Sequence, residues 1–299
     1  MPYFHVPVML KETLEYLQPK SGQKFIDGTL GGASYTLALA AAVGEKGKVV
    51  SLDLDELALK NAALEIAKNK FNNVILVSGN FKNIKKIIAD RFPPSTRFDG
   101  FVLDLGLSSA QLDDETRGFS FKGERPLDMS FGTENERSTE QIINQYPLLE
   151  LTRIFSEYGE ERWAYRLAQA VVAARRVKRF KTTSDLVSLI ETVSPVRYHS
   201  KIHPATKIFQ ALRMETNEEL SALSTVLPAA LELLKPTGRL VVVSFHSGED
   251  RIVKRFFKDS VSLQILTKKP IVPTAAEINM NPRARSAKLR VAALKINNF

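Results

Sequence analysis

Short apolar segments alternate with longer amphipathic segments over the first third of the chain. The short segments, which end on polar residues, predict strands, and the longer ones, in which apolar residues recur every three or four positions, predict helices. The predicted strands are 24–27, 48–53, 74–78 and 101–104, and the predicted helices are 34–43, 56–70 and 84–91. Strands that alternate with helices pair in parallel, because each crossover returns the chain to the same edge. The pattern therefore predicts a doubly wound parallel sheet.

The alternation stops after residue 108 and resumes close to residue 217. The intervening segment shows helical periodicity at 160–176 and 183–194 and is punctuated by prolines. The later predicted elements are a helix at 217–234 with Asn217 as its N-cap, a strand at 238–244, a helix at 249–257, and strands at 261–267 and 287–296. We therefore predict an α/β, Rossmann-like fold with about seven strands. Residues 1–108 and 214–299 form its discontinuous sheet domain, and residues 109–213 form an inserted α-helical domain.

The fourth strand stops abruptly on an acidic residue, Asp104, and a loop rich in glycine and serine follows it. The carboxyl edge of a parallel sheet is where α/β enzymes bind their ligands. A strand followed by an ordinary turn is the alternative interpretation of Asp104 alone. The long unusual segment that continues to Met129 favours an active-site wall.

The first strand enters a glycine-rich turn, which a helix follows. Gly28 and Gly31 in this turn let the backbone approach a ligand closely, with the N–H groups of the helix pointing toward it. Asp53 ends the second strand, where a carboxylate can accept both hydroxyl groups of a ribose. The alternative role for Asp53 is that of an N-cap for the helix at 56–70.

Two classes of cofactor fit this turn: a dinucleotide, or a single adenosine with a short tail. The GxGxxG pattern of dinucleotide sites is missing, because Ala33 and Ser34 follow Gly32. Asp27 would repel a pyrophosphate but would attract a cationic tail. S-adenosylmethionine has both an adenosine and such a tail, and we predict it as the cofactor. Phe81, after the third strand, either flanks the adenine or packs in the core.

Composition excludes several kinds of chemistry. The 299 residues include no cysteine, which rules out disulfides, thiolate zinc sites and thiol nucleophiles. The four histidines are widely scattered, so we expect no metal site. No apolar segment approaches the roughly 20 residues of a membrane span, and the N-terminus resembles no targeting sequence. We expect a cytoplasmic protein that does not bind membranes.

The net charge of +9 is concentrated in two segments. Residues 151–213 contain 12 Lys and Arg against 5 Asp and Glu, and residues 251–290 contain 10 against 2. The rest of the chain is net negative. Positive charge that is confined in this way indicates a surface for a polyanion such as a nucleic acid, although charged segments are also common on solvated surfaces.

Twelve blocks carry a family pattern in order along nearly the whole chain. They are 5–12, 27–31, 53–55, 104–113, 117–121, 126–129, 158–161, 203–206, 209–213, 244–247, 249–251 and 281–290. Together they resemble the RsmH (MraW) family, bacterial methyltransferases that act on N4 of a cytidine in 16S rRNA. The chain departs from the family pattern at Ala33-Ser34-Tyr35, where the family usually has Gly-Gly-His, and at Gly248, where it typically has leucine.

The resemblance implies a class I methyltransferase sheet with an inserted helical domain that recognises the substrate. It implies a decoding-centre cytidine of 16S rRNA as the target, within the small ribosomal subunit. The methyl donor would be S-adenosylmethionine, held by residues after the first four strands. The expected donor-binding residues are Asp27, Gly28, Gly31, Ala33, Ser34, Tyr35, Asp53, Phe81, Asp104 and Gln111.

Methyl transfer from a sulfonium needs positioning and electrostatics rather than an activated nucleophile or a metal. Asp104 is expected to contact the methyl donor as its primary role and the target amine as a secondary role. His246 is expected to orient the base or else to bond a loop carbonyl. His203 and Arg213 are expected to shape the pocket, or else to be a helix cap and a surface charge. The expected catalytic residues are therefore Asp104, His246, His203 and Arg213.

The target base must leave its stack to reach the sheet edge, and aromatic side chains can then hold it. The candidates for this wall are Phe119, Phe121 and Phe245, with core packing as the alternative. Two basic groups are expected to bind RNA phosphates: Arg175, Arg176 and Arg179, and Arg283, Arg285, Lys288 and Arg290. Other hypotheses are a non-catalytic RNA-binding or assembly factor, a DNA amino-methyltransferase and, least favoured, an NAD-dependent oxidoreductase.

Overall fold

The protein consists of two compact units in a computed structural model. The structure describes residues 7–108, 111–112, 114, 116–121, 123–132, 137–194 and 203–296, and His5, Ser109, Ala110, Asp113 and His199 lie outside these ranges. The first unit comprises Met1–Gly106 and Leu220–Phe299, and the second comprises Leu107–Glu219. The boundaries lie two residues before and six residues after those expected from the sequence.

The first unit is built on a seven-stranded sheet in the order β3-β2-β1-β4-β5-β7-β6. Its strands are β1 (Lys24–Asp27), β2 (Lys48–Asp53), β3 (Val74–Ser78), β4 (Phe98–Asp104), β5 (Leu234–Ser244), β6 (Leu263–Ile265) and β7 (Lys288–Leu294). The first five strands pair in parallel, as the alternation with helices predicts. By contrast, β7 is antiparallel to both of its neighbours, so the complete sheet is mixed.

Seven helices belong to this unit within the described residues. They are α1 (Leu10–Leu17), α2 (Ser34–Val43), α3 (Glu56–Lys68), α4 (Ile84–Ala89), α10 (Glu219–Leu233, whose first residue falls in the second unit), α11 (Ser247–Asp259) and α12 (Ala275–Met280). Alternate residues of the strands pack on opposite faces of the sheet, since side chains of a strand point up and down in turn. Phe101 and Leu103 join the core on one face, whereas Val102 joins the core on the other.

The second unit is helical. Its helices are α5 (Thr139–Gln145), α6 (Leu148–Glu157), α7 (Ala164–Ala174), α8 (Thr183–Val193) and α9 (Ala205–Thr216). They share an apolar core that includes Leu151, Phe155, Leu167, Leu186 and Phe209. Ser138 and Thr182 each form a capping box, which fixes where α5 and α8 begin. This unit therefore has a hydrophobic core of its own.

The predicted N-cap at Asn217 is wrong. Asn217 follows the last residue of α9, and its amide group donates to the carbonyl oxygens of Met129 and Arg213 at 2.8 and 2.9 Å. Its Oδ1 accepts from the backbone N–H of Phe131 at 2.8 Å. Asn217 thus ties the end of α9 to a loop of the same unit. Among the described residues, no helix is both long enough and apolar enough to cross a membrane.

Candidate active site

The turn after β1 is tightly packed against the neighbouring strand. A Cβ atom at Gly28 would lie 2.6 Å from Cδ2 of Leu103 and 3.1 Å from Cε1 of Phe101, so a larger residue would force these two side chains of β4 to shift. Gly31 adopts a φ of +47°, in the left-handed region that favours glycine. Ala33 is also left-handed, at φ +62°, immediately before α2 begins at Ser34. The backbone at Gly28 and Gly31 is therefore not covered by side chains of these residues at the carboxyl edge of the sheet.

Asp53 connects β2 to this turn. Its Oδ2 accepts from the N–H of Gly31 at 2.8 Å, and its Oδ1 accepts from the N–H of Asp55 at 2.9 Å. The N-cap of α3 is Asp55, whose carboxylate accepts from the N–H of Leu57. The capping alternative for Asp53 is therefore wrong. Since a carboxylate has about four acceptor positions, Asp53 retains capacity for two hydroxyl groups beside the glycine turn.

Asp27 is fully buried below the same turn. It accepts from the hydroxyl of Thr36 at 2.7 Å and from the N–H of Thr29 at 3.2 Å. Burial raises the pKa of Asp27 to about 6, and the hydrogen bonds from Thr36 and Thr29 oppose that rise. Burial also raises the pKa of Asp53 to about 6, against the hydrogen bonds from Asp55 and Gly31. Two carboxyl groups of similar acidity therefore share this end of the sheet.

Asp104 completes the acidic group at the end of β4. Its backbone N–H donates to the hydroxyl of Thr29 at 2.6 Å, which fixes the strand end against the glycine turn. Its Oδ1 is buried and has no hydrogen-bond partner among the described residues. Burial, and then the negative charges of Asp27 and Glu249, raise the pKa of Asp104 well above its usual value. A buried acceptor without a partner destabilises the fold, so this atom indicates a ligand.

The end of β5 lies next to the end of β4 in the sheet. His246 caps α11: its Nδ1 accepts from the N–H of Glu249 at 3.4 Å, and its Nε2 lies 3.2 Å from Oε1 of Glu249. Glu249 in turn accepts from the N–H groups of Phe245 and His246. A Cβ atom at Gly106 would lie 3.3 Å from the Phe245 ring, so the loop after β4 contacts the loop after β5. The contacts with Glu249 on both ring nitrogens restrain the orientation of His246.

Three of the expected donor-binding residues have other partners. The hydroxyl of Tyr35 is buried and donates to the carbonyl oxygen of Val8. Burial, and then the charge of Asp104, raise the pKa of Tyr35 well above its usual value. Phe81 is partly buried and packs against the core that contains Leu103. The Gln111 amide oxygen accepts from the N–H of Ser108 at 3.0 Å within the second unit. These contacts favour structural roles for the three side chains.

His203 lies in the second unit, in an aromatic group. Its ring stacks on Phe121 with centroids 4.9 Å apart, and Phe209 packs edge-on against the same phenylalanine. Its Nδ1 accepts from the N–H of Ala205 at 3.2 Å, and its Nε2 lies 3.1 Å from Oε1 of Glu191. The sequence-based alternative of a helix cap therefore describes one of its contacts correctly. The exposed imidazole of His203, which stacks on the partly buried Phe121, is also suitable for contact with a base.

Arg213 forms a bidentate ion pair with Glu219, with both N···O distances 2.7 Å. Both side chains are largely buried, at 12% and 9% exposure. This geometry does not fit the alternative of a surface charge. It favours a role in holding the end of α9 in place.

Replacing Arg213 with methionine is expected to lower the free energy of unfolding by about 3–5 kcal/mol, because Glu219 would stay buried without its guanidinium partner. The R213M/E219L double variant is expected to recover most of this loss, which urea unfolding measures. Methyl transfer by the double variant then separates a structural role from a catalytic one. An R213M protein as stable as the wild type would contradict the importance of the ion pair.

The expected phosphate-binding residues differ in their exposure to solvent. Arg175 donates to the carbonyl oxygens of Ile143 and Tyr146 at 2.9 and 2.8 Å, where it stabilises the end of α5. Arg290 is buried, and its Nε donates to Asp250 at 2.6 Å. Lys288 lies 3.6 Å from the same carboxylate. The remaining expected phosphate ligands are exposed: Arg176, Arg179, Arg283 and Arg285.

One basic surface was not singled out from the sequence. Helix α11 begins at the carboxyl edge of the sheet and exposes cations at positions one turn apart, Arg251, Lys254, Arg255 and Lys258. The spacing i, i+3, i+4, i+7 places them on one face of the helix. This spacing is visible in the sequence and was the signal that could have identified the surface.

The sheet order and the antiparallel β7 define a class I methyltransferase fold. The model of the MraW methylase family matches residues 2–295. The chain therefore belongs to the MraW methylase family.

Several curated proteins align over almost the full length of the chain. A protein of Heliobacterium mobile, named ribosomal RNA small subunit methyltransferase H, is 42% identical over 98% of this chain and 99% of its own. A protein of the same name from Kosmotoga olearia is 43% identical over 96% of each chain. Among solved structures, an rRNA methylase from Streptococcus thermophilus aligns with 98% of this chain and 100% of its own, at 10% identity and a TM-score of 0.46.

The methyl donor is S-adenosylmethionine, and the residues of the site fit it. This molecule has a sulfonium, an ammonium group and two ribose hydroxyls. The unpartnered Oδ1 of Asp104 and the raised pKa values of Asp27 and Asp53 are features of a site that lacks positive charge. A cationic ligand would stabilise all three ionised carboxylates.

Proposed function

We propose that this protein transfers a methyl group from S-adenosylmethionine to N4 of a cytidine in small-subunit rRNA, in the cytoplasm. By its resemblance to the RsmH family, the target is a decoding-centre cytidine of 16S rRNA within the small ribosomal subunit. The names of its relatives, at about 40% identity over the full length, support an rRNA substrate. The observation that carries the proposal of an amine target is the unpartnered Oδ1 of Asp104.

The exocyclic amine of cytosine is a weak nucleophile, because its lone pair is delocalised into the ring. S-adenosylmethionine, when bound, supplies a methyl group already activated by the sulfonium. Asp104 would accept a hydrogen bond from the amine N–H, which favours the tetrahedral nitrogen that attacks. As the N–C bond forms and the S–C bond breaks, the nitrogen loses a proton, and a carboxylate with a raised pKa is suited to accept it.

Asp53 and Asp27 would hold the other parts of the donor. Asp53 accepts a hydrogen bond from the N–H of Gly31 and has acceptor positions left for the two ribose hydroxyls. Asp27 is committed to Thr36 and Thr29 and would act through its charge rather than by direct contact. His246, fixed by Glu249 at the end of β5, would orient the base. His203 and its Phe121 stack would assist from the inserted unit.

Donor affinity is expected to rise with pH between 5 and 7, because the site binds a cation with carboxylates whose pKa values are about 6. Below that value Asp27 and Asp53 are protonated, so binding must release their protons and weakens by about tenfold per pH unit for each group. Calorimetric titration with S-adenosylmethionine at a series of pH values measures this.

The D53N variant is the control for the pH profile. It is expected to bind the donor more weakly and to have a shallower slope, since one titrating group is removed. An affinity that does not change from pH 5 to pH 8 in the wild type would contradict the role of these carboxylates.

Mass mapping of 16S rRNA tests the proposed function in the cell. In a strain that lacks this protein, one cytidine N4-methyl mark is expected to disappear and to return when the gene is supplied again. If every cytidine N4-methyl mark stays intact, the assignment is wrong. Binding of S-adenosylmethionine to the purified protein separates an enzyme from a non-catalytic assembly factor on the same fold, which would not bind the donor.

A further inference from the structure

Two buried hydroxyl groups form a chain with the carboxylate of Asp27. Oγ1 of Thr36 lies 2.7 Å from Oδ2 of Asp27 and 2.6 Å from Oγ of Ser51. All three side chains are completely buried. Burying a hydroxyl group costs free energy unless it is hydrogen-bonded, and apolar side chains normally fill such positions. The three side chains therefore act as one hydrogen-bonded group, the hydroxyl chain Ser51–Thr36–Asp27.

Three neighbouring elements bring these side chains together. Asp27 on β1 pairs with Ser51 on β2 in the parallel ladder, so both side chains point to the same face of the sheet. Ser51 is the one polar residue in the buried part of β2, between Val50 and Leu52. Thr36 is the third residue of α2, where the N-terminal end of the helix dipole also favours a negative charge.

The number of hydroxyl protons determines the direction of the two hydrogen bonds. An ionised carboxylate only accepts, and each hydroxyl group has one proton to donate. Thr36 therefore donates to Asp27 when Asp27 is ionised, and Ser51 must then donate to Thr36. Hydrogen bonds to a charged acceptor are the stronger ones, and bonds in a chain strengthen one another. The hydroxyl chain thus stabilises the ionised form of Asp27 more than the neutral form.

Three acidic groups, on β2, β4 and α2, interact with the charge of Asp27. Burial raises the pKa of Asp27, and the charge of Asp53 adds to this rise. Burial, with the charge of Asp27 among the further causes, raises the pKa values of Asp104 and Tyr35. The hydrogen bond from Thr36 is the largest effect that lowers the pKa of Asp27. The hydroxyl chain is therefore the main interaction that keeps Asp27 ionised.

We propose that Thr36 and Ser51 are positioning residues for the methyl donor, which keep Asp27 ionised and so extend tight binding of S-adenosylmethionine to lower pH. This inference rests on the proposed function, in which the charge of Asp27 attracts the cationic donor. Neither hydroxyl group needs to touch the donor, since both act through Asp27. The alternative is a purely structural role, in which the two side chains only fill the space between α2 and the sheet.

T36V keeps the size of the side chain and removes its hydroxyl group. Because a hydrogen bond to the ionised form of Asp27 is lost, donor affinity is expected to fall by about tenfold at pH 5 and about fivefold at pH 6. At pH 8 Asp27 is ionised in both proteins, so their affinities are expected to agree within about twofold. Calorimetric titration of the full-length proteins with S-adenosylmethionine measures these differences.

The protons released when the donor binds give a second readout. Titration at pH 6.5 in two buffers with different enthalpies of ionisation measures their number. T36V is expected to release about half a proton more per donor than the wild type, because more of its Asp27 is neutral before binding. S51A retains the Thr36 hydroxyl but removes the bond that polarises it, so a smaller loss of affinity, about threefold at pH 5, is expected.

T36S and T216V are the controls. T36S keeps the hydroxyl group and is expected to retain the pH profile of the wild type. Thr216 forms a buried hydroxyl pair with Thr139 at 2.7 Å in the second unit, so T216V removes the same kind of contact from a different core. T216V is expected to lower the melting temperature and to leave the pH profile unchanged.

Two results would overturn the inference. One is a T36V protein whose affinity and proton release equal those of the wild type at every pH. The other is an equal loss of affinity from pH 5 to pH 8, which would show a structural role only. If T36V does not fold, S51A decides, and an unchanged pH profile for S51A then overturns the inference.

Failure of the proposed function gives a different result. If the wild type binds the donor with no dependence on pH and releases no proton, the role proposed for the charge of Asp27 is wrong, and the hydroxyl chain fails with it. If the wild type shows the expected dependence and T36V reproduces it, the hydroxyl chain alone is wrong.

Discussion

Replacing Asp104 with asparagine is expected to lower methyl transfer by about 100-fold or more. The substitution keeps the shape of the side chain but removes the negative charge and one acceptor at the end of β4. Loss of one preorganised electrostatic contact in an active site typically costs about 10²–10³ in rate. Single-turnover methylation of rRNA with saturating donor measures the effect. A D104N enzyme within about threefold of the wild type would contradict the catalytic role of Asp104.

The same substitution is expected to raise the stability of the ligand-free protein at neutral pH. The pKa of Asp104 is raised in the folded state, so stability that is present at low pH is lost as the pH rises through that pKa. D104N has no such group, and its advantage in unfolding free energy should appear as the pH increases above about 4. Urea unfolding at pH 4 and pH 8 measures the difference. Activity and stability thus change in opposite directions.

D99N provides the matched control, because Asp99 lies on the same strand but at its other end. Asp99 accepts from Nζ of Lys235 at 2.8 Å and from the N–H of Lys24 at 2.9 Å, and has no part in the site. D99N is expected to be less stable than the wild type and to keep its methyl-transfer rate at temperatures where it is folded.

RNA binding is expected to weaken by about 100-fold between 50 and 200 mM salt. With roughly five phosphate contacts, each worth a slope of about −0.7 for a single strand, the logarithm of affinity falls by about two over this range. The exposed cations of both units provide more than enough contacts of this kind. A flat dependence on salt would remove the basis for a phosphate-binding surface.

Two triple variants test whether the exposed cations of α11 contact the RNA phosphates. K254Q/R255Q/K258Q removes three exposed cations from α11 and is expected to lower the magnitude of the slope by about two. K60Q/K68Q/K85Q removes the same charge from lysines of the same unit that pair with Glu56, Glu65 and Glu232. This control variant is expected to retain the slope of the wild type. Equal slopes for the two variants would show that net charge, not the α11 surface, determines binding.

The strands of the sheet were predictable because the sequence pattern that identifies each strand is local. The strands ending at Asp27, Asp53 and Asp104 were predicted with the correct last residue, since an apolar segment that stops on an acid is visible in the sequence. Their convergence at one edge followed from parallel pairing alone. The antiparallel direction of β7 was not predictable from the alternation, because the sequence pattern predicted no helix between the last two strands, and the structure places only the short α12 there.

The hydrogen-bond and ion-pair partners of individual side chains were less predictable, because many of them lie far away in the sequence. Arg290 belongs to a strongly basic segment, yet it is buried against Asp250, 40 residues earlier. Arg175 likewise binds two carbonyl groups about 30 residues away. Asn217 had the residue type of an N-cap but ends a helix instead. Charge and residue type predict that a surface exists, and tertiary structure selects which side chains remain on it.

Methylation by the purified protein tests directly whether it transfers a methyl group to N4 of a cytidine. Small ribosomal subunits from a strain that lacks the protein are incubated with the enzyme and S-adenosylmethionine, and nucleosides from the digested 16S rRNA are separated and weighed by mass spectrometry. We expect a single new product, N4-methylcytidine, which does not form when D104N replaces the wild type. A methyl group on a ring carbon, on the ribose or on another base, or no transfer at all, would contradict it.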